Sequence, residues 1–160
     1  MIVLLQRYLK GNKQAEDDAD VTVALSSLLI DGEAYGDALH YLDRRPIDRP
    51  DAVRNRARAL DELGRHDATI ALLKKTDDPE SNRILGEIAF AQHHCDVARD
   101  AFQAAASAAP TDSLRWNDLA AASLCANDFR TAAFARARAV ELDPSKHIAR
   151  SILAEMKRAS

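Results

Sequence analysis

Six residues in the second half of this 160-residue chain return at a single interval. Leu85, Gly86, Ala89, Ala98, Ala105 and Pro110 reappear as Leu119, Ala120, Ser123, Ala132, Ala139 and Pro144, each 34 positions later. A fixed period of this size marks stacked supersecondary units, none of which buries its apolar face alone. Within each period the apolar positions follow helical spacing, and no segment alternates as a strand does. An all-α chain of antiparallel helical hairpins joined by short loops is therefore expected.

Taken in order, residues 1–12 read as a short helix with Ile2, Leu5 and Leu9 on one face, stopped by Gly11-Asn12. The acidic cluster Glu16, Asp17, Asp18 and Asp20 reads as the entry to the next helix, where negative charge complements the positive helix end. Four hairpins are expected over 16–45, 50–76, 79–110 and 112–144, turning at Asp31-Gly32, Leu63-Gly64, His93-His94 and Asn127-Asp128. Pro50 suits a first helical position, and Asp78-Pro79-Glu80 combines a side-chain cap, a residue needing no N–H partner and a first-turn acid. A capping helix over 146–158 carries Ile148, Ile152, Leu153 and Met156 on one face and completes one domain spanning 1–160.

The second-half residues resemble the tetratricopeptide repeat (TPR) family. The matching positions are Leu85, Gly86, Ala89, Ala98, Phe102, Ala105 and Pro110, then Trp116, Leu119, Ala120, Phe129, Ala132, Ala139 and Pro144. In the first half, Leu25, Ser26, Leu29, Tyr35, Ala38 and Leu42 fit with an extra residue in the turn. Ala57, Leu60, Gly64 and Leu73 fit with Arg56 at an apolar place. The small crossing residues Ser26, Ala57, Gly86 and Ala120 are separated by 31, 29 and 34 positions. Arg136 stands where Phe102 stands one unit earlier, with Phe134 expected to compensate.

The resemblance implies a superhelical stack, a TPR-like α-solenoid of about four repeats plus a C-terminal cap, whose concave groove binds a peptide or protein segment. Carried over position by position, the groove comprises Val23, Ser27 and Ile30; Arg54, Arg58 and Asp61; Arg83, Glu87 and Phe90; and Asn117, Ala121 and Leu124. Its middle is charged and its end more apolar. A carboxylate clamp of the family is not expected, because Ile84, Leu114 and Asp118 stand where such a clamp wants Asn and further cations. Arg54, Arg58 and Arg83 remain suited to an acidic ligand, since guanidinium pairs well with carboxylate.

Composition narrows the function further. A formal charge of −3 gives no whole-chain field toward nucleic acid or anionic lipid. The arginines at 44, 45, 49, 54, 56 and 58 alternate with Asp43, Asp48 and Asp51 and lack the stacking aromatics of a nucleic-acid surface. His93-His94-Cys95 fans apart on a helix with no fourth ligand at metal spacing, so no metal or other cofactor is expected. Cys95 and Cys125, 30 positions apart, read as free thiols in a reducing compartment, Cys125 filling a small apolar space. The apolar run Ile2–Leu5 is too short for a leader or a membrane span. Trp116 reads as core rather than a ligand platform. Without a nucleophile elbow or a phosphate loop, catalysis is not expected.

The chain is thus read as a cytoplasmic, non-catalytic scaffold or adaptor with a protein or peptide partner, no nucleic acid and no membrane insertion. Homo-oligomerisation is left open. The alternatives are a chaperone for a bacterial secretion-system client and a regulatory subunit of a larger complex.

Overall fold

The computed structural model describes Gly11, residues 18–44 and residues 47–145. Of the helix expected over 1–12 only Gly11 is described, and it is helical rather than a stop; the cap expected over 146–158 lies outside the described residues. Eight helices, and no strand, occupy the described residues. They are α1 (Ala19–Asp31), α2 (Tyr35–Arg44), α3 (Pro50–Glu62), α4 (His66–Leu73), α5 (Pro79–Ala91), α6 (Cys95–Ala108), α7 (Ser113–Cys125) and α8 (Phe129–Leu142).

The helix starts follow local chemistry. Asp18, Asp112 and Asp128 each accept a hydrogen bond from a backbone amide of the first turn, at 2.8, 3.0 and 3.1 Å. Pro50 opens α3 and Pro79 opens α5, the latter capped by Asp78, which accepts from the Ser81 amide at 2.9 Å.

The turns within the four hairpins are copies of one another. Each has one residue at positive φ: Glu33, Gly64, His93 and Asn127, at 59°, 72°, 59° and 59°. In each, an amide reaches back five residues to close the helix: Ala34 to Leu29, Arg65 to Leu60, His94 to Ala89 and Asp128 to Ser123, all at 2.8–2.9 Å. This is the closure that a left-handed residue permits at a helix C-terminus. The four turns lie 31, 29 and 34 positions apart, the spacing of Ser26, Ala57, Gly86 and Ala120. No extra residue sits in the first turn, contrary to expectation. The first helices α1, α3, α5 and α7 are all 13 residues long, whereas the second helices run to 10, 8, 14 and 14. The irregular spacing of the first half is therefore absorbed in short second helices and in the connections after them.

Packing divides the chain into two units, 1–81 and 82–160. In the first, α1 packs on α2 and α3, and α3 on α4. Leu25, Leu29, Ile30, Ala38, Leu39, Ala59 and Leu60 form its main cluster, and Leu42, Ile47 and Ala52 a second. In the second, α7 packs on α6 and α8 on α7. Alanines 98, 101, 105, 106, 122, 132, 135 and 139 are buried there, together with Phe102, Trp116 and Leu119. So many buried methyl groups let helix backbones approach closely and leave the aromatics to fill the remaining space. Phe102 lies so near α5 that a Cβ placed on Gly86 would meet its ring at 2.6 Å.

Candidate functional site

In the first unit, several expected groove residues are already engaged. Ile30 is 4% exposed and belongs to the core, which corrects its placement in the groove. Val23 is half-buried and packs on Leu42, Ile47 and Ala52. Asn55, which sequence reasoning misses, is buried and donates to the Ser26 hydroxyl at 2.9 Å and the Val23 carbonyl at 3.3 Å. Ser27 lies 3.5 Å from the same amide. The signal for Asn55 is Ser26 itself, a polar residue at a small crossing position.

Arg54 and Arg58 part company. Arg54 donates to Asp78 at 2.6 Å, and the same carboxylate accepts from the Ser81 amide and hydroxyl, each at 2.9 Å. Burial pushes this carboxyl up, but the Ser81 donors and Arg54 outweigh it and hold it below the ordinary range. Arg54 thus ties α3 to the cap of α5. Asp61 meets His66 Nδ1 at 2.6 Å across the hairpin turn. Arg58 is exposed, one turn beyond Arg54 on the same face of α3. Arg56, at an apolar place in the repeat, reaches the Leu42 carbonyl and pairs with Asp43 at 3.1 Å.

In the second unit, Arg83, Glu87 and Phe90 lie on one face of α5, and Asn117, Ala121 and Leu124 on one face of α7. Arg83 pairs with Glu87. Phe90 and Leu124 are 39% and 56% exposed, two of eight large apolar side chains exposed among the described residues. Asp118, on α7, lies in the field of Glu87 and Arg83. Burial raises its carboxyl above the ordinary range, Glu87 adds to this, and Arg115 and Arg83 offset only part. Its ionised form is therefore disfavoured in the folded chain. A carboxyl raised on folding contributes stability below its unfolded pKa and loses it as pH rises through the folded value. Asp118→Asn should accordingly raise the thermal midpoint at pH 7, with the gain shrinking toward zero near pH 3, as scanning calorimetry at the two pH values would show.

An open pocket of about 450 Å³ lies between α7 and α8, walled by Asn117, Ala121, Leu124, Phe129, Ala133 and Arg136 among others. Its origin is the repeat itself. Leu42, Leu73 and Phe102 fill the equivalent place in the earlier hairpins and are buried at 1%, 0% and 4% exposure. Arg136 turns outward and donates to Asn117 Oδ1 at 3.0 Å. Phe134 does not compensate: it stacks edge-on against Trp116, with ring centroids 5.8 Å apart. Trp116 is core, 7% exposed, with its indole N–H donating to the Pro110 carbonyl at 2.9 Å.

Cys95 and Cys125 are joined in a disulfide, with Cα atoms 5.4 Å apart. This corrects the expectation of free thiols. One cysteine begins α6 and the other ends α7, so the bridge clasps the turns of successive hairpins. Each cysteine lies two residues from the left-handed residue of its turn, so the stacked turns bring the pair together. Among the described residues no cluster of three His, Cys, Asp or Glu side chains is placed to hold a metal. No helix among them is long and apolar enough to cross a membrane.

No family model matches the chain, and no curated protein matches it either. Solved structures do. A MamA double mutant from strain RS-1 shares 20% identity at a TM-score of 0.68, covering 80% of this chain and 76% of that one. MamA from Desulfovibrio magneticus RS-1, from residue 41 onward, shares 20% identity at 0.68, covering 80% and 77%. A MamA of MSR-1 shares 18% identity at 0.64, covering 91% and 86%. The chain has a TPR-like helical repeat fold. At these identities the likeness is one of fold alone.

Proposed function

We propose that this chain is a non-catalytic protein-interaction module whose first helices present a peptide or protein segment with matched charged and apolar side chains. The observation that carries this reading is, in the second unit, the exposed apolar residues on equivalent faces of two first helices, Phe90 beside the Arg83–Glu87 pair on α5 and Leu124 on α7; in the first unit Arg58 is exposed on α3. A preformed helical surface needs little ordering when it binds, so modest apolar anchors suffice. A TPR-like helical repeat fold, shared with the MamA structures, suits a scaffold.

Arg54, held by Asp78, serves the fold in this reading, while Arg58 serves the ligand. Affinity capture from the source cells, with mass spectrometry, tests it. Arg58→Glu should leave the circular dichroism spectrum unchanged and weaken capture of an acidic partner about tenfold, the loss of one charged hydrogen bond. Phe90→Glu should act likewise, and Gln103→Glu on an exposed face of α6 should have no effect. Capture undiminished by both Arg58→Glu and Phe90→Glu overturns this reading. A small apolar client required for solubility would instead identify a chaperone.

A further inference from the structure

The contact joined by the disulfide has a counterpart in the first unit. Cys95 stands two residues after the left-handed residue of its turn, and Cys125 two residues before that of the next turn. The same two places in the first two hairpins are Tyr35, two after Glu33, and Glu62, two before Gly64. There the Tyr35 hydroxyl donates to the Glu62 carboxylate. Stacking therefore brings these positions together in both units, once through a hydrogen bond and once through a pair of sulfurs. The sulfurs need no covalent bond to be neighbours, so a bridge that is opened can close again.

Three further observations mark this bond as one that solution thiols reach and exchange. It lies outside the core: Cys95 and Cys125 are each half-buried, while the packing of α6 on α7 and of α7 on α8 rests on Phe102, Trp116, Leu119 and the buried alanines. It borders an open cleft of about 380 Å³, among whose other walls are His93, His94, Asp96 and Asn127. Its two ends also differ electrostatically. Cys95 is the first residue of the 14-residue α6, at the positive end of the helix, and the charge of the adjacent Asp96 is met by Arg99 at 3.2 Å. Cys125 is the last residue of α7, where carbonyls gather. Negative charge is thus favoured on the Cys95 sulfur, which makes it the better leaving group, and exposed bonds of this kind are the exchangeable ones.

We propose that Cys95–Cys125 is a reversible redox switch, opened in the folded chain by a dithiol reductant, and that opening it releases the last turn of α7. One thiolate of the dithiol attacks the Cys125 sulfur and forms a mixed disulfide. The electron pair of the broken bond leaves on Cys95, which takes a proton. The second thiolate then attacks the reductant's own sulfur in the mixed disulfide, and Cys125 leaves and takes a proton in turn. Two electrons and two protons pass to the chain, and the dithiol ends as a disulfide. The amides of Ala126, Asn127 and Asp128, which close α7 on the Ala122, Leu124 and Ser123 carbonyls, lose the tether beside them. Leu124 lies in that turn, so the switch acts on one end of the surface proposed above, yet it requires no ligand to be found.

The test uses the full chain in mixtures of reduced and oxidised dithiothreitol, without denaturant. Alkylation and mass spectrometry should count no thiol at the oxidised end and two at the reduced end, reversibly, with the circular dichroism spectrum helical throughout. Hydrogen exchange at the Ala126, Asn127 and Asp128 amides should quicken about tenfold on reduction, while the matching amides of the first turn, Gly32, Glu33 and Ala34, keep their rates. Cys95→Ser should show the fast rates with or without reductant. With glutathione, a monothiol, the trapped adduct should sit on Cys125 and leave Cys95 open to alkylation. Thiols that appear only in denaturant, or a helical spectrum lost on reduction, would make the bridge a fixed staple and overturn the proposal. Exchange rates unchanged by reduction would overturn it equally, and an adduct on Cys95 would overturn the assignment of the leaving sulfur. Ligand capture enters none of these readouts, so the binding reading can fail and leave the switch standing.

Discussion

Replacing Phe102 with alanine is expected to destabilise the chain by about 3–5 kcal/mol, the usual cost of emptying a buried aromatic site. In a chain of this size that lowers the thermal midpoint by roughly 10 °C. The ring is 4% exposed and lies against the backbone of α5 at Gly86, where a Cβ would come within 2.6 Å of it. That proximity supplies a sharper test than the loss alone. Gly86→Ala in the natural background must push the ring aside and should cost about 1–3 kcal/mol. In the Phe102→Ala background the obstruction is gone, and alanine is then the better helix residue by about 0.5–1 kcal/mol. The effect of Gly86→Ala should change sign, and chemical denaturation of the four proteins would measure it. The same sign in both backgrounds would mean that the ring does not occupy this crossing.

Breaking the Cys95–Cys125 bridge is the second large effect. The bridged residues are 30 apart, and releasing that loop in the unfolded chain should lower stability by about 3–4 kcal/mol if chain entropy dominates. Cys125→Ser and reduction of the natural chain should agree, and reduction should do nothing further to the variant. Thiol titration without reductant is expected to find no free cysteine, and two after reduction. Two thiols in the natural chain at the outset would return the pair to the reduced state read from the sequence. The bridge also bears on surroundings, because such bonds persist where conditions are oxidising.

The legible part of the sequence is the part that repeats. Gly64 and the pairs His93-His94 and Asn127-Asp128 mark turns, since a helix end needing a left-handed residue announces itself locally, whereas at Asp31-Gly32 the left-handed residue is Glu33, just beyond the pair. Ser26, Ala57, Gly86 and Ala120 mark crossings, because small size at a fixed interval is visible without a partner. Trp116 and Phe102 fall in the core for the same reason. The illegible part depends on a neighbour across space. Arg54 matches a ligand-facing position, but Asp78, 24 residues on, claims it. Ile30 shares the helix face of Val23 and Ser27, yet it is enclosed by its own unit. The substitution of Arg136 for a large apolar residue is plain in the sequence, but whether Phe134 swings in or a pocket opens is a question of side-chain direction. The disulfide escapes sequence reasoning because spacing alone, without the stacked turns, gives no reason for two cysteines to meet.

The four 13-residue first helices and their identical turns behave as a ruler. Every residue that faces a ligand in the proposed reading lies on that invariant part, while length varies only in the second helices and the connections after them. Insertions and deletions can accumulate on the variable side while each first helix keeps its length and its closing turn.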